Sequence, residues 1–144
     1  MREILFRGKR YDNGEWEYGH LVTGTYYLDQ KPITAIMPSD LIFYPRSEVN
    51  GWEDVDPETI GQFTGLTDKN GKKIFEGDLC LCNRHIASSV DRQVFRINLN
   101  TQYGQWVGDS FCSNITADEF FMCEIIGNIH DNPELMDGGN VYGN

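Results

Sequence analysis

Residues 55–81 read V-D-P-E-T-I-G-Q-F-T-G-L-T-D-K-N-G-K-K-I-F-E-G-D-L-C-L. The start of this run predicts a single helical or 3₁₀ turn over Asp56 to Ile60. Asp56 can accept backbone N–H groups at a helix start, and Pro57 has a preset φ and lacks a donor that the first turn would leave unused. The turn cannot extend far, because Gly61 and Gly65 bracket the short β-prone piece Q-F-T.

The middle of the same run predicts a β-hairpin. Asp68-Lys69-Asn70-Gly71 supplies residues that tolerate the positive φ of a tight reversal between two strands. Ile74-Phe75 closes the hairpin, and Glu76-Gly77-Asp78 predicts a bend or bulge. Leu79-Cys80-Leu81-Cys82 then alternates between two apolar faces, which is typical of a strand wrapped inside a small barrel.

The pattern P-E-T-I-G-Q-F-T-G-L-T-D-K-N-G-K-K-I-F-E-G-D at residues 57–78 resembles the signature of the YopX family of phage and prophage proteins. The likeness extends to M-R-E-I-L-F-R-G-K-R at 1–10, G-E-W-E-Y-G at 14–19 and E-I-I-G-N-I-H-D-N-P-E-L at 124–135. The resemblance implies an all-β protein whose C-terminal part is an SH3-like barrel. It implies no established activity, so no catalytic residue is carried over to this chain.

Length and composition favour the same architecture. A chain of 144 residues that is 40% apolar can bury one moderate core or two small ones. An aromatic content of 12% and 15 glycines favour many short strands and turns, and no long window keeps a helical apolar period without Gly or Pro. Together with the barrel that the resemblance implies, this leads us to expect an N-terminal β-hairpin region at 1–54, an SH3-like barrel at 55–136 and a flexible tail at 137–144.

Alternating apolar residues predict the other strands of the N-terminal region. Ile4–Arg10 and Glu15–Val22 should pair around Asp12-Asn13-Gly14. Thr25–Leu28 and Ile33–Met37 could form a second hairpin, and Pro38, Pro45 and Gly51 then mark a looser connection, with a boundary near Trp52 to Val55.

Three more strands are predicted after the signature. Val90–Leu99 should point Phe95, Ile97 and Leu99 inward, Tyr103–Val107 should follow a turn, and Phe120–Ile126 should close the barrel. Thr116-Ala117-Asp118-Glu119 fits a capping box for a helical element of at most two turns.

Charge limits the partners. The net charge is −10, and the residues after Arg96 include seven acids and no Lys or Arg. This balance argues against direct nucleic-acid binding, which needs clustered basic residues to release counterions. The small basic cluster of Arg7, Lys9 and Arg10 is interpreted as a solvated strand face. The acidic C-terminal third serves solubility, or else it imitates nucleic acid toward a basic host protein.

Cysteines and histidines do not predict a metal site. Cys80, Cys82, Cys112 and Cys123, with His85 and His130 as conceivable additions, lack the two-residue spacers of zinc knuckles. We expect four small, buried, reduced thiols, no cofactor and no metal. The early apolar run is interrupted by charges, and no stretch approaches the ~20 apolar residues that span a bilayer, so a cytoplasmic location in a bacterial host is expected.

No catalytic constellation is visible, and we expect no enzyme. His20, His85 and His130 are interpreted as structural or surface residues, since a triad is recognised by geometry. Glu76 and Asp78 flank Gly77 and are interpreted as turn formers. Four aromatic residues are most simply core or rim positions, although an exposed subset could line a peptide groove; these are Trp16, Tyr18, Trp52 and Trp106.

Three functions remain open. The leading one is a non-catalytic phage or prophage accessory protein that binds a protein partner, which could be a second copy, through sheet edges and aromatic surface. The second is an acidic inhibitor that occupies the nucleic-acid site of a host enzyme, with salt-sensitive binding. The third is an enzyme or small-ligand binder whose site lies between the two β regions and needs converging polar groups. The sequence names no binding residue.

Overall fold

The computed structural model describes residues 2–38, 52–86, 89–111 and 113–136. In these ranges the protein is all-β, as predicted, and its only helical elements are 3₁₀ turns. No helix there is long and apolar enough to cross a bilayer. The strands are β1 Phe6–Lys9, β2 Trp16–Thr25, β3 Pro32–Pro38, β4 Glu53–Asp54, β5 Gly61–Thr67, β6 Lys73–Phe75, β7 Asp78–Ile86, β8 Ser89–Asn100, β9 Gln105–Asp109, β10 Asn114–Thr116 and β11 Cys123–Asn128; the turns are Pro57–Thr59, Ala117–Met122 and Pro133–Leu135.

The strands form two antiparallel sheets. One has the order β4-β3-β2-β1-β5-β6, and the other has the order β10-β9-β8-β7-β11. In the second sheet β10 and β11 are at opposite ends of the hydrogen-bonded order, so the sheet is open. The SH3-like barrel is therefore not confirmed. The chain divides into two compact units, Met1–Phe63 and Thr64–Asn144.

The first unit is built on the β1–β2 hairpin, whose register pairs Phe6 with Gly19 and Lys9 with Trp16. The predicted reversal at Asp12-Asn13-Gly14 is confirmed, and Gly14 has a φ of 70°. β3 extends the sheet on the other side of β2, and its Ala35 and Ile36 are fully buried.

The predicted turn after Val55 is confirmed as the 3₁₀ turn Pro57–Thr59. The Asp56 carboxylate accepts the Glu58 backbone N–H at 3.0 Å, as its capping role requires. The Thr59 hydroxyl accepts the Lys9 backbone N–H at 2.8 Å and donates to the Asp56 carbonyl at 2.6 Å. The turn is thereby fastened to β1.

The second N-terminal hairpin differs from its prediction. β2 continues to Thr25 and pairs with β3, so the separate strand expected at Thr25–Leu28 is wrong. Tyr26 instead begins the connecting loop, in which the Tyr26 backbone N–H donates to the Lys31 carbonyl and the Gln30 N–H donates to the Tyr26 carbonyl, each at 2.9 Å. Tyrosines favour strands, but here β2 ends at Thr25 and the hydrogen bonds of Tyr26 close the connecting loop.

The second unit contains a core that the sequence pattern partly predicted. Phe95 and Ile97 are buried as expected, while Leu99 is only partly buried. The closing strand starts later than expected, because Phe120 is buried within the 3₁₀ turn Ala117–Met122 and β11 begins at Cys123. The core cluster consists of Ile74, Cys80, Cys82, Phe95, Ile97, Ile115, Phe120 and Cys123.

Two other local predictions for this unit have clear outcomes. The capping box is confirmed: the backbone N–H of Thr116 donates to the Glu119 carboxylate at 3.1 Å. Tyr103 is not in a strand, since it lies in the turn before β9 and is 68% exposed. The predicted looser connection within 39–51 and the predicted tail at 137–144 lie outside the described residues.

Candidate interaction surface

Polar side chains of the signature at residues 57–78 stabilise the fold by accepting hydrogen bonds from backbone N–H groups. Asp68 accepts the backbone N–H groups of Asn70 at 2.8 Å, Lys72 at 2.9 Å and Ile125 at 3.0 Å. The Asp78 carboxylate accepts the Phe75 N–H at 2.8 Å, and Gly77 between Glu76 and Asp78 has a φ of 90°. The predicted role of these residues in turns is confirmed.

The C-terminal motif is fastened to the same turn. The Ile129 backbone N–H donates to the Gly77 carbonyl at 2.9 Å. The Asn128 side-chain oxygen accepts the N–H groups of His130 at 3.0 Å and Asp131 at 2.9 Å. These contacts give the motif a structural function and make His130 part of a turn.

The cysteines belong to the core. Cys80, Cys82 and Cys123 are free and fully buried, which confirms the predicted burial for these three; Cys112 lies outside the described residues. Burial raises the pKa of Cys80, while contact with Cys82 and burial raise the pKa of Cys123. Metal binding and nucleophilic attack require the thiolate, which these surroundings disfavour.

Within the described part of the chain, no three His, Cys, Asp or Glu residues are grouped so as to hold a metal ion. His20 is exposed on β2, and the side chain of His85 lies outside the description. His130 lies in the turn that follows β11.

The basic cluster is not the solvated face that its sequence predicted. Arg7 is only 5% exposed, and its guanidinium carbon lies 4.6 Å from the centroid of the Trp16 ring. The Lys9 ammonium lies 5.7 Å from the same ring. Arg10 is engaged by the Asp12 carboxylate at 2.6 Å. The interpretation is wrong for Arg7 because cation–π contact with Trp16 lets an aromatic ring cover the charge.

The four candidate aromatic residues occupy different surroundings. Trp16 is partly buried under the basic cluster, and Trp106 packs against the core of the second unit. Tyr18 is 47% exposed and Trp52 is 37% exposed. The expectation of core and rim positions is confirmed, and no groove is needed to explain them.

Among the described residues of the first unit, the most exposed apolar side chains lie in a hairpin arm, which we define as residues 21–33. β1 reaches only as far as Gly19 on β2, and β4 contacts β3 only at Ala35 and Ile36. The arm is thus a two-stranded ribbon that extends beyond the rest of its sheet. Tyr27 and Leu28 at its tip are 89% and 92% exposed.

The hydrogen-bond pattern of the arm leaves one edge of β2 free. Val55 donates its N–H to the Thr34 carbonyl at 3.0 Å, so the backbone N–H and C=O groups of Thr34 point away from β2. Thr23 is opposite Thr34 in an antiparallel ladder, so the two residues form a non-hydrogen-bonded pair. The backbone N–H and C=O groups of Thr23 therefore point away from β3. Residues alternate along a strand, so Leu21 and Thr25 share this direction.

The prolines of β3 agree with this assignment. Pro32 is opposite Thr25, and Pro38 is opposite Gly19. A proline cannot donate to a ladder, and it fits a strand where an N–H would point away from the neighbouring strand. Both pairs are therefore non-hydrogen-bonded pairs, like the pair of Thr23 and Thr34, and their backbone groups point away from the neighbouring strand.

The free edge consists of the backbone groups of Leu21, Thr23 and Thr25. Among the described residues none of their three N–H or three C=O groups has a hydrogen-bonded partner. Thr23, Gly24 and Thr25 are exposed, and a Cβ added to Gly24 would meet nothing within 4 Å. The exposure of Thr23 to Thr25 and the unpaired backbone groups leave this part of the edge open to a further strand.

The outer edges of β11, β6, β10 and β3 are short or blocked in the described part of the chain. On β11 the Cys123 carbonyl accepts the Lys69 N–H at 2.9 Å, and the Ile125 N–H is taken by Asp68. β6 and β10 are only three residues long, and the outer edge of β3 carries two prolines. Short strands, prolines and covering loops are the usual devices that prevent edge pairing. The β2 edge in the arm has none of them.

The arm was not predicted from sequence as a site. Its signal is the run from Leu21 to Leu28, which contains no charged residue in a chain of net charge −10. An uncharged run of this kind is equally compatible with a buried hairpin. It is exposed here because β1 stops pairing at Gly19 and does not cover it.

Comparisons with known proteins agree with the fold. A family model described as "YopX protein" matches residues 5–137. The structure is similar to the crystal structure of protein EF1440 from Enterococcus faecalis, with a TM-score of 0.57 and 24% sequence identity over 95% of this chain and 100% of that chain. Curated proteins include no significant match. At this identity the structural likeness supports the fold alone, while the family match covers most of the sequence, and the chain therefore belongs to the YopX family.

Proposed function

We propose that this protein is a non-catalytic accessory module that binds a protein chain through the hairpin arm. The observation that carries the proposal is the free edge of β2, which ends in the exposed side chains of Tyr27 and Leu28. An exposed edge accepts an extended segment through main-chain hydrogen bonds, and neighbouring apolar side chains add affinity. The family resemblance supports a phage or prophage setting and a cytoplasmic location in the bacterial host.

The arm is an unfavourable structure unless it has a partner. A two-stranded ribbon is marginally stable in water, and an apolar tip with nearly full exposure is unfavourable for solubility. Neither feature is required by the core of the first unit, whose buried residues include Ala35, Ile36 and Val55. We infer that binding is the reason for both features.

The proposal is tested with a double substitution at the tip, Tyr27→Ser with Leu28→Ser. Tyr103→Ser is the matched control, because Tyr103 is an exposed aromatic residue in the turn of another hairpin. Each protein is immobilised and exposed to host lysate supplemented with the same chain carrying a different tag. The wild type and the control should retain a common protein that the tip variant loses. Equal retention by all three proteins would contradict the proposal.

The other hypotheses stay predictions. Mimicry of nucleic acid is supported only by the net charge and by the acids of the C-terminal third, of which Glu124 lies 3.5 Å from the Lys69 ammonium. Its expected signature is binding to a basic enzyme that weakens steeply with salt. A ligand site between the two β regions and closure of an SH3-like barrel likewise stay predictions from the sequence.

A further inference from the structure

We propose that the chain bound by the arm is a second copy of this protein, and that the free edges of two β2 strands pair antiparallel about a two-fold axis at Thr23. This inference rests on the proposed function, because it names the partner of the same surface. It makes the arms of two copies one continuous four-stranded ribbon in the order β3-β2-β2-β3.

The free edge is complementary to itself. Its outward-facing residues, Leu21, Thr23 and Thr25, are evenly spaced around Thr23. In an antiparallel pairing centred there, Thr23 faces Thr23 of the second copy and Leu21 faces Thr25. Facing residues that point toward each other exchange two hydrogen bonds. Every unused N–H and C=O group of the edge is therefore satisfied, with none left over.

Charge favours a second copy over a basic partner. Two molecules of net charge −10 repel each other, so they can meet only where the local charge is low. The arm contains one acid, Asp29, and one base, Lys31, which cancel, so the excess of acids lies elsewhere in the chain. A basic partner would instead be attracted to the acidic surface, and a neutral ribbon would give it no advantage.

The same register gives the tip a place to dock. Tyr27 is four residues from Thr23 on one side, and Gly19 is four residues from it on the other, so the pairing brings Tyr27 to the end of β1 in the second copy, where Phe6 pairs with Gly19. At this end of β1, Tyr18 adjoins Gly19 in sequence and Ile4 precedes Phe6 by two residues, and these side chains are 47% and 60% exposed. Pairing would cover these side chains and the tip together, which accounts for exposed apolar residues at both places.

The first experiment removes the central donor of the edge. Thr23→Pro deletes an N–H that faces away from β3, so the β2–β3 ladder keeps its bonds. Thr23→Val is the matched control, since it keeps the backbone donor and a β-branched side chain. We expect sedimentation between about 1 and 200 μM to show a dimer for the wild type and for Thr23→Val. Loss of the two central bonds should weaken the dimer of Thr23→Pro by roughly 10- to 100-fold.

The second experiment does not depend on how well a proline variant folds. In the proposed dimer two Thr23 residues form a hydrogen-bonded pair, for which the Cα atoms lie about 5.5 Å apart, within the range that a disulfide spans. Thr23→Cys should therefore give a covalent dimer with oxidised glutathione. Two thiols lose their hydrogens to form one disulfide, and the oxidant becomes two molecules of reduced glutathione.

Gly24→Cys is the control for cross-linking. Gly24 faces Val22 of the second copy, so two Gly24 positions are separated by two residues along the strand and lie beyond the ~7 Å limit for a disulfide. The wild type reports any cross-linking by the native cysteines. We expect covalent dimer from Thr23→Cys only.

The outcomes separate this inference from the proposed function. A wild type that stays monomeric throughout the range, a dimer that Thr23→Pro leaves unchanged, or equal cross-linking of both cysteine variants would overturn pairing of the two edges. A monomer that still retains a different protein through Tyr27 and Leu28 would overturn this inference and leave the proposed function standing. A dimer that survives both the edge and the tip substitutions, with no other protein retained through Tyr27 and Leu28, would overturn both.

Discussion

The carboxylate of Asp68 accepts the backbone N–H of Ile125, 57 residues later in the chain, at 3.0 Å. The same carboxylate closes the hairpin turn through Asn70 and Lys72. One buried side chain thus fixes a local reversal and holds the edge of β11. The residue that appears in sequence as a turn former also joins two distant segments of the second unit.

Replacing Asp68 by Ala should destabilise the protein strongly. The substitution leaves buried N–H groups without their acceptor, and hydrogen bonds to a charged group contribute about 1.5–3 kcal/mol each without being additive. We expect a loss of about 2–4 kcal/mol in the free energy of unfolding, measured by urea denaturation. Asp29→Ala is the control, because Asp29 is exposed and its contacts are a longer bond from the Lys31 N–H at 3.2 Å and an exposed ion pair with the Lys31 ammonium at 3.6 Å; the loss should be below about 1 kcal/mol. Equal losses would contradict the role of Asp68.

Stability should also depend on pH through Asp68. Burial raises the pKa of this carboxyl, but backbone hydrogen bonds from Ile125, Lys72 and Asn70 lower it more, so its pKa is below the usual value. The folded pKa is thus lower than the unfolded value of about 3.9. The contribution of the carboxylate is complete above that value and is lost as the pH falls through the folded pKa.

The substitution Asp68→Asn isolates the pH dependence that comes from this carboxyl, because asparagine does not titrate. The stability difference between wild type and Asp68→Asn should be constant from about pH 5 to 7 and should shrink as the pH falls below about 4. Denaturation at several pH values checks this. A difference that grows toward acid would show that the pKa of Asp68 is raised instead.

Two glycines in strands of the first unit should respond oppositely to alanine. A Cβ at Gly8 would lie 2.8 Å from the Val55 Cγ2 atom and 2.9 Å from the Ile60 Cδ1 atom, whereas a Cβ at Gly24 would meet nothing within 4 Å. Gly8→Ala should therefore lower the free energy of unfolding by about 1–3 kcal/mol through overpacking. Gly24→Ala should be neutral or should stabilise by up to about 1 kcal/mol. Thermal unfolding of dilute protein checks both, and a neutral Gly8→Ala would contradict the packing.

Two adjacent phenylalanines provide a similar contrast in the second unit. Phe120 is fully buried in the core cluster, while Phe121 is 65% exposed. Phe120→Ala should lower the free energy of unfolding by about 3–5 kcal/mol, the usual cost of a cavity left by a large ring. Phe121→Ala should change it by less than about 0.5 kcal/mol. Reversed effects would place the wrong residue in the core.

Local signals predicted much of this fold. The cap at Asp56, the reversal at Asp68 to Gly71 and the inward side of Phe95 and Ile97 each depend on neighbouring residues only. The resemblance to the YopX family was confirmed for residues 5–137 and supplied the all-β class. Contacts such as the one between Asp68 and Ile125 could not be predicted, because turn chemistry does not identify a partner far along the chain.

The candidate site depends on features that no local pattern contains. The high β propensity of Tyr26 and Tyr27 does not distinguish a strand from a loop tip. It therefore predicts a separate strand where the structure has the start of the loop. The free edge of Leu21, Thr23 and Thr25 exists because β1 stops pairing at Gly19. The burial of Arg7 likewise depends on Trp16, which the cross-strand register brings to it.

Hydrogen exchange at single amides of β2, followed by NMR as a function of protein concentration, tests the central claim most directly. In dilute protein the amides of Leu21, Thr23 and Thr25 should exchange fast, while those of Val22 and Gly24, which pair with β3, should be protected. At high concentration the three edge amides should become protected as dimers form. If they exchange equally fast at every concentration, with the wild type monomeric, the edge does not pair with itself; if they are already protected in dilute monomer, the edge is not free.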